Sequence, residues 1–314
     1  MIGEVFRRLD WARRRLLGRT DPIILMYHRV AHAPVDPWKL AVEPGNFDEQ
    51  MAVLAETRHP VPLDWLANEL REGRRPQRAV AVTFDDGYLD VLENARPSLA
   101  RHNVPATVFI VSGMVGADRG YWWDQLAELV FGASHLPDLL PYTSPEIEAA
   151  RIKGDRWGLH LGLWRVVRVL HLEDRYAAVA ALGRAFGTDL IATPPVMSEA
   201  QLHQLTEGGL VTLGVHTVTH ASLPSLSSEG QRAEIGECKA MLERVMGEPN
   251  RRLAYPFGDF DDRSLSIADE LGFDYAVSVN PGPAIRWRQR FRLPRHDVKN
   301  WSGGQFRRRL AWFG

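Results

Sequence analysis

The sequence predicts an α/β protein built from parallel β/α units. Two observations carry that reading. Short apolar runs recur along the chain at Ile23–Tyr27, Ala79–Phe84, Ala106–Val111, Val211–Val215, Leu253–Tyr255 and Tyr275–Val279. Segments with helical periodicity separate them. Strands alternating with helices imply crossover connections and a parallel sheet, and a barrel or a doubly wound sheet would both fit.

Each strand candidate is short, apolar and partly β-branched, which suits burial on both faces. The intervening helices are expected over Phe47–Glu56, Leu89–His102, Ser198–Glu207, Ser228–Met246 and Asp262–Leu271. The stretch from about Tyr121 to Pro195 breaks the alternation. It is rich in Leu, Arg and Trp and has helical periodicity without clear strands, so it reads as a helical insertion between two β/α units. The chain thus divides into residues 1–20 and a main domain over 21–314 carrying that insertion.

Residues 1–20 hold Arg7, Arg8, Arg13, Arg14, Arg15 and Arg19 against Glu4 and Asp10. Ile2, Val5, Phe6, Leu9 and Leu16 fall near one helical face, so the segment reads as a basic amphipathic helix. It packs on the main domain, frays, or makes peripheral contact with an anionic membrane surface. No run approaches the roughly 20 apolar residues of a membrane span, and no signal-peptide core is visible. These features predict a cytoplasmic protein, peripheral at the inner membrane face if the basic helix binds lipid. The net charge of −1 argues against a nucleic-acid partner. The single Cys238 rules out an intrachain disulfide and a cysteine-built zinc site. The oligomeric state is not legible.

The chemistry concentrates at two strand ends. Thr83-Phe84-Asp85-Asp86-Gly87-Tyr88 follows the run Ala79–Val82. Adjacent carboxylates repel and are costly to desolvate, so the pair calls for a cation. One could bind a metal while the other serves as a base. The second constellation is His216-Thr217-Val218-Thr219-His220, after the strand Val211–Val215. Two imidazoles beside a carboxylate make a three-ligand site for a divalent metal with positions left open for water and substrate. Zn²⁺ suits that donor set, with Co²⁺, Ni²⁺ or Fe²⁺ as alternatives.

Taken together, Thr83–Tyr88 and His216–His220 resemble the polysaccharide deacetylase family, the NodB-homology carbohydrate esterases. Leu253-Ala254-Tyr255-Pro256-Phe257-Gly258 resembles that family's third motif. The resemblance covers roughly residues 21–300 apart from the insertion. It implies a distorted (β/α) barrel of about seven strands. It also implies hydrolysis of N-acetyl, or O-acetyl, groups on an amino sugar of a polysaccharide, oligosaccharide or lipid-linked glycan. Asp86, His216 and His220 would bind the metal, Asp85 would be the base and a metal-activated water the nucleophile. The Phe257 N–H would meet the oxyanion. Tyr88, Tyr255 and Pro256 would lie against the substrate.

Two departures from the family pattern follow. Ala254 stands where many members carry an Arg that steadies the base, and Arg295 is the candidate replacement. The late Leu-x-His motif is not in its usual form, whereas Leu25-Met26-Tyr27-His28-Arg29 resembles the rearranged motif of exopolysaccharide-modifying members. His28 is therefore the expected acid, with His296 as runner-up. Trp122 and Trp123 are a candidate stacking platform for sugar rings, or part of the core. The rival readings are an amidohydrolase for a small non-sugar amide and a catalytically silent carbohydrate-binding protein.

Overall fold

The computed structural model describes residues 20–138, 144–188, 193–280 and 286–313. The basic segment at the N-terminus lies outside them, apart from Thr20. The described residues form ten strands: β1 (Ile23–Tyr27), β2 (Arg29–Val30), β3 (Ala41–Val42), β4 (His59–Pro60), β5 (Ala79–Phe84), β6 (Ala106–Ile110), β7 (Val211–Val215), β8 (Arg252–Ala254), β9 (Tyr275–Val277) and β10 (His296–Asp297). Seven form one parallel sheet in the order β10-β1-β5-β6-β7-β8-β9, with β4 added beside β5. β2 and β3 pair separately.

The sheet nearly closes on itself. Leu293 bridges in parallel to Val277 of β9, while His296 and Asp297 pair with Leu25 and Met26 of β1. The segment 293–297 therefore ties both edges together, which gives a distorted barrel. β1, β5 and β6 are buried throughout, consistent with strands covered on both faces. Strand ends that point the same way gather the residues after β1, β5, β7 and β8 at one mouth.

Helix boundaries follow local chemistry. Ser198 begins the helix Glu199–Thr206 with a reciprocal capping box through Gln201. The helix Ser228–Met246 starts at Ser227 and stops at Gly247, whose φ of 69° suits glycine. Asp261 caps the helix Asp262–Glu270 through Ser264. The segment expected as one helix over Leu89–His102 is a wide π-type turn, Val91–Ala95, leading into Arg96–His102. Pro97 explains it, because a proline has no N–H to close the preceding α-turn.

Between β6 and the helix Glu199–Thr206, the described residues form four α-helices, Trp122–Gly132, Pro145–Lys153, Arg156–Val167 and Leu172–Ala185. They share an apolar core of their own, with Trp122, Leu126, Leu159, Leu163 and Val179 buried. That core continues into Tyr88 and Val111 of the barrel, so the helical lobe is packed against the mouth. Among the described residues no helix is long and apolar enough to cross a membrane.

Candidate active site and metal centre

The mouth holds a cavity of about 280 Å³ lined by Asp85, Asp86, His216, His220, His28 and Phe257, with aromatic walls from Trp38, Trp123 and Trp164. The two aspartates face different partners. Arg295 is fully buried and grips Asp85 with two bonds of 2.7 Å, Nη1 to Oδ1 and Nη2 to Oδ2. It also donates from Nη1 to Thr83 Oγ1 and from Nε to the Ser278 carbonyl. Burial drives the Asp85 carboxyl up, but Arg295, His216 and His28 outweigh it and hold the group at about 2. Asp85 is thus a buried carboxylate kept ionised.

Asp86 has the opposite environment. Burial, and then Asp85 and Asp124, raise its carboxyl well above the usual range. Its Oδ1 lies 3.6 Å from His216 Nε2 and 3.4 Å from His220 Nε2, and it has no hydrogen-bond partner among the described residues. The three donor atoms lie within 4.8 Å of one another. Ligands at bonds of ~2.1 Å in a tetrahedral set are about 3.4 Å apart, so this spacing fits a divalent cation. Burial lowers His216 to about 4 and His220 further, so both imidazoles are neutral ligands. The residue types and their spacing suit the ion, and a bound cation would offset the cost that burial puts on the Asp86 carboxylate.

Outer contacts aim these ligands. His216 Nδ1 is 2.8 Å from the Ala254 carbonyl, which fixes the tautomer and leaves Nε2 directed at Asp86. The His220 ring is held between Phe257 at 4.3 Å and Trp123 at 4.6 Å. Asp86, Thr217, His220 and Phe257 all have left-handed backbones, with φ of 74°, 68°, 52° and 58°. Such conformations cost non-glycine residues about 1–2 kcal/mol each and collect at functional sites. Anchors oppose that cost. Tyr121 Oη donates to the Asp86 carbonyl. Glu234 accepts from the Val218 and Thr219 N–H groups, while Arg175 of the helical lobe donates to the Thr219 and His220 carbonyls.

His28 follows β1 and lines the cavity with Asp297 and Lys299. Burial lowers its pKa, and Asp85 and Asp297 oppose that shift. His296 turns to the other side of β10 and stacks on Phe313 at 4.5 Å, away from the cavity. Alternation along the strand separates it from Asp297.

Four residues expected at the substrate lie behind the wall instead. Trp122 and Trp123 are neighbours on a helix, so they point about 100° apart. Trp123 lines the cavity, while Trp122 is 1% exposed in the lobe core. Tyr88 is fully buried, donating to Asp124 Oδ2 and accepting from Trp123 Nε1, so it supports the wall. Tyr255 and Pro256 are buried too; they shape the turn that presents Phe257. Asp259, after that turn, accepts from Ser222 and Arg168. The sequence reading missed Trp38, Trp164, Arg168, Arg175, Glu234, Asp297 and Lys299. Only the Trp- and Arg-rich composition of the insertion hinted at any of them.

A family profile described as polysaccharide deacetylase matches residues 72–135 and 158–276. The poly-beta-1,6-N-acetyl-D-glucosamine N-deacetylase of Staphylococcus aureus (strain MSSA476) is 36% identical over 242 residues, covering 74% of this chain and 62% of that relative. The chain therefore spans less than two thirds of that relative's length. Streptococcus pyogenes deacetylase PplD, solved in complex with acetate, superposes with a TM-score of 0.63 at 19% identity, covering 93% of this chain and 99% of that one. IcaB from Ammonifex degensii superposes with a TM-score of 0.62 at 18% identity, covering 94% and 97%. The two superpositions establish a shared fold.

Proposed function

The chain belongs to the polysaccharide deacetylase family, and from that premise we propose that it hydrolyses N-acetyl groups on an amino sugar of a glycan. One observation carries the reading: adjacent carboxylates in opposite environments, Asp85 locked to Arg295 and Asp86 with its Oδ1 facing two histidine nitrogens and no hydrogen-bond partner among the described residues. The first is a proton acceptor held ionised, the second one member of a ligand set.

Asp86, His216 and His220 would hold a divalent cation, which supplies Lewis-acid polarisation of the acetyl carbonyl and makes water a stronger acid. Asp85 accepts the proton as water adds to that carbonyl. Arg295 keeps its carboxylate oriented and charged. The Phe257 turn, with φ of 58°, offers its N–H to the developing oxyanion. His28 gives a proton to the departing amine, and acetate and the free amino sugar leave. Trp123 and Phe257 supply apolar surface for the acetyl methyl and the sugar face. The same machinery would also cleave O-acetyl esters, because the oxyanion is the same.

Acetate release from N-acetylated and O-acetylated glucosamine oligomers tests this, beside a panel of small amides. The parent should release acetate from the N-acetylated glycans, and chelation or Asp85→Asn should abolish it. Turnover of small amides alone would establish the amidohydrolase reading. Acetate release that survives Asp85→Asn would remove Asp85 as the base.

A further inference from the structure

The cavity mouth is bridged on one side. Trp38 sits in the loop between β2 and β3, and its ring meets three rings of the lobe helix Arg156–Val167. Centroid distances are 5.1 Å to Trp164, 5.2 Å to Trp157 and 5.6 Å to His160. Aromatic rings at such separations are in packing contact. Trp38 and Leu40 line the cavity from the barrel side, and Trp164 and Arg168 line it from the lobe side. The two walls therefore touch instead of flanking an open groove.

The bridging loop is tied down at both ends. Lys299 donates to the Trp38 and Lys39 carbonyls and pairs with Asp297 at 2.6 Å. Asp36 accepts from the Leu40 and Ala41 N–H groups, each at 2.8 Å. On the lobe side Arg168 stacks over Trp164 and Phe257 and pairs with Asp259. The bridge thus couples barrel and lobe through several polar anchors as well as ring contact.

An internal residue of a linear glycan needs two exits from the site, one for each neighbour. A terminal sugar needs one. The cavity, at about 280 Å³, is just below the range of small-molecule sites, which starts near ~300 Å³. Resting on the deacetylase reading above, we propose that the Trp38–Trp164 bridge makes this site selective for a terminal acetylated sugar, admitted as a chain end or as a single sugar on a carrier.

The experiment uses the metal-reconstituted full chain and a length series of N-acetylated glucosamine oligomers, together with a single N-acetylglucosamine on a lipid-like alkyl aglycone. Free amines are located by tandem mass spectrometry after partial reaction. Free amines confined to chain ends, with a rate per chain that does not grow with length, support the proposal. The alkyl glycoside arm then separates the sources: turnover equal to or above that of the oligomers identifies a carrier-linked sugar, and turnover far below it a polymer end. Either result fits a terminal-sugar site. Internal free amines made by the parent, or a rate per chain rising in proportion to length, overturn it.

Trp38→Ala should open the second exit and raise internal deacetylation by at least about tenfold. Trp164→Ala removes the other half of the same contact and should do likewise, so a misfolded Trp38 variant does not decide the matter. If both variants fold and still cut only at ends, the bridge is not the selector. Binding separates this idea from the activity itself. The tryptophan fluorescence of Asp85→Asn is titrated with mono- and oligosaccharides. An affinity set by the first sugar supports the enclosed site even if no glycan is turned over, and an affinity climbing with length overturns it.

Discussion

Arg295 and Asp85 are 210 positions apart in the chain and meet in two parallel hydrogen bonds of 2.7 Å inside the barrel. Arg295 lies on the segment that closes the sheet between β9 and β1. Ala254, at the position where an arginine was expected, is fully buried and contributes its carbonyl to His216 instead. A guanidinium from one side of the ring thus meets Asp85 where one from another was expected.

Breaking that pair should be costly. Arg295→Met leaves a buried carboxylate unpaired, and removal of one partner of such a pair costs about 3–5 kcal/mol. Denaturant unfolding of Arg295→Met, Asp85→Asn and the double variant measures it. The double variant should lose clearly less than the sum of the singles.

Divalent cation should stabilise the fold through Asp86, His216 and His220. A ligand at about a hundredfold excess over its Kd adds about 2.7 kcal/mol. Zn²⁺ should therefore raise the Tm of the chelator-stripped parent. Asp86→Asn removes the charged ligand, and its Tm should stay flat over the same titration.

Arg175 should tune the same centre from outside. It is 2% exposed and donates to the carbonyls of Thr219 and His220. Arg175→Met frees the loop that carries His220. Cation affinity, measured by competition with a chelating dye, should fall about 10–100-fold, the range for supporting groups around metal ligands.

Asp124 should give stability a pH dependence. Burial raises its pKa to about 7, although Arg29 and the Tyr88 hydroxyl oppose that. The unfolded value is about 3.9. Between those values the native chain holds a proton that the unfolded chain has lost. This contribution to stability is complete below about pH 4 and is lost as pH rises toward 7. Asp124→Asn, which resembles the protonated acid, should match the parent near pH 4 and exceed it by roughly 4 kcal/mol at pH 7. Parallel urea melts across that window check the sign.

The legible parts of this protein were those written in local pattern. β1, β5, β6 and β7 announced themselves as short, largely apolar runs, and the helices Glu199–Thr206 and Ser228–Met246 as periodic segments between them. β10 was not legible, because His296-Asp297 is two polar residues with no period to read. The alternatives for Trp122 and Trp123, stacking platform or core, divided between the two residues because neighbours on a helix diverge, which sequence adjacency hides.

By itself the sequence determined the alternating α/β class, the strand-end carboxylate pair and the two histidines four positions apart. Each depends only on neighbours within a few positions. Tertiary structure decided which distant cation meets Asp85, which of His28 and His296 faces the cavity, and that Trp38 reaches Trp164. Those contacts join segments far apart in the chain, and closure of the sheet and docking of the lobe select the partners. No local propensity encodes them.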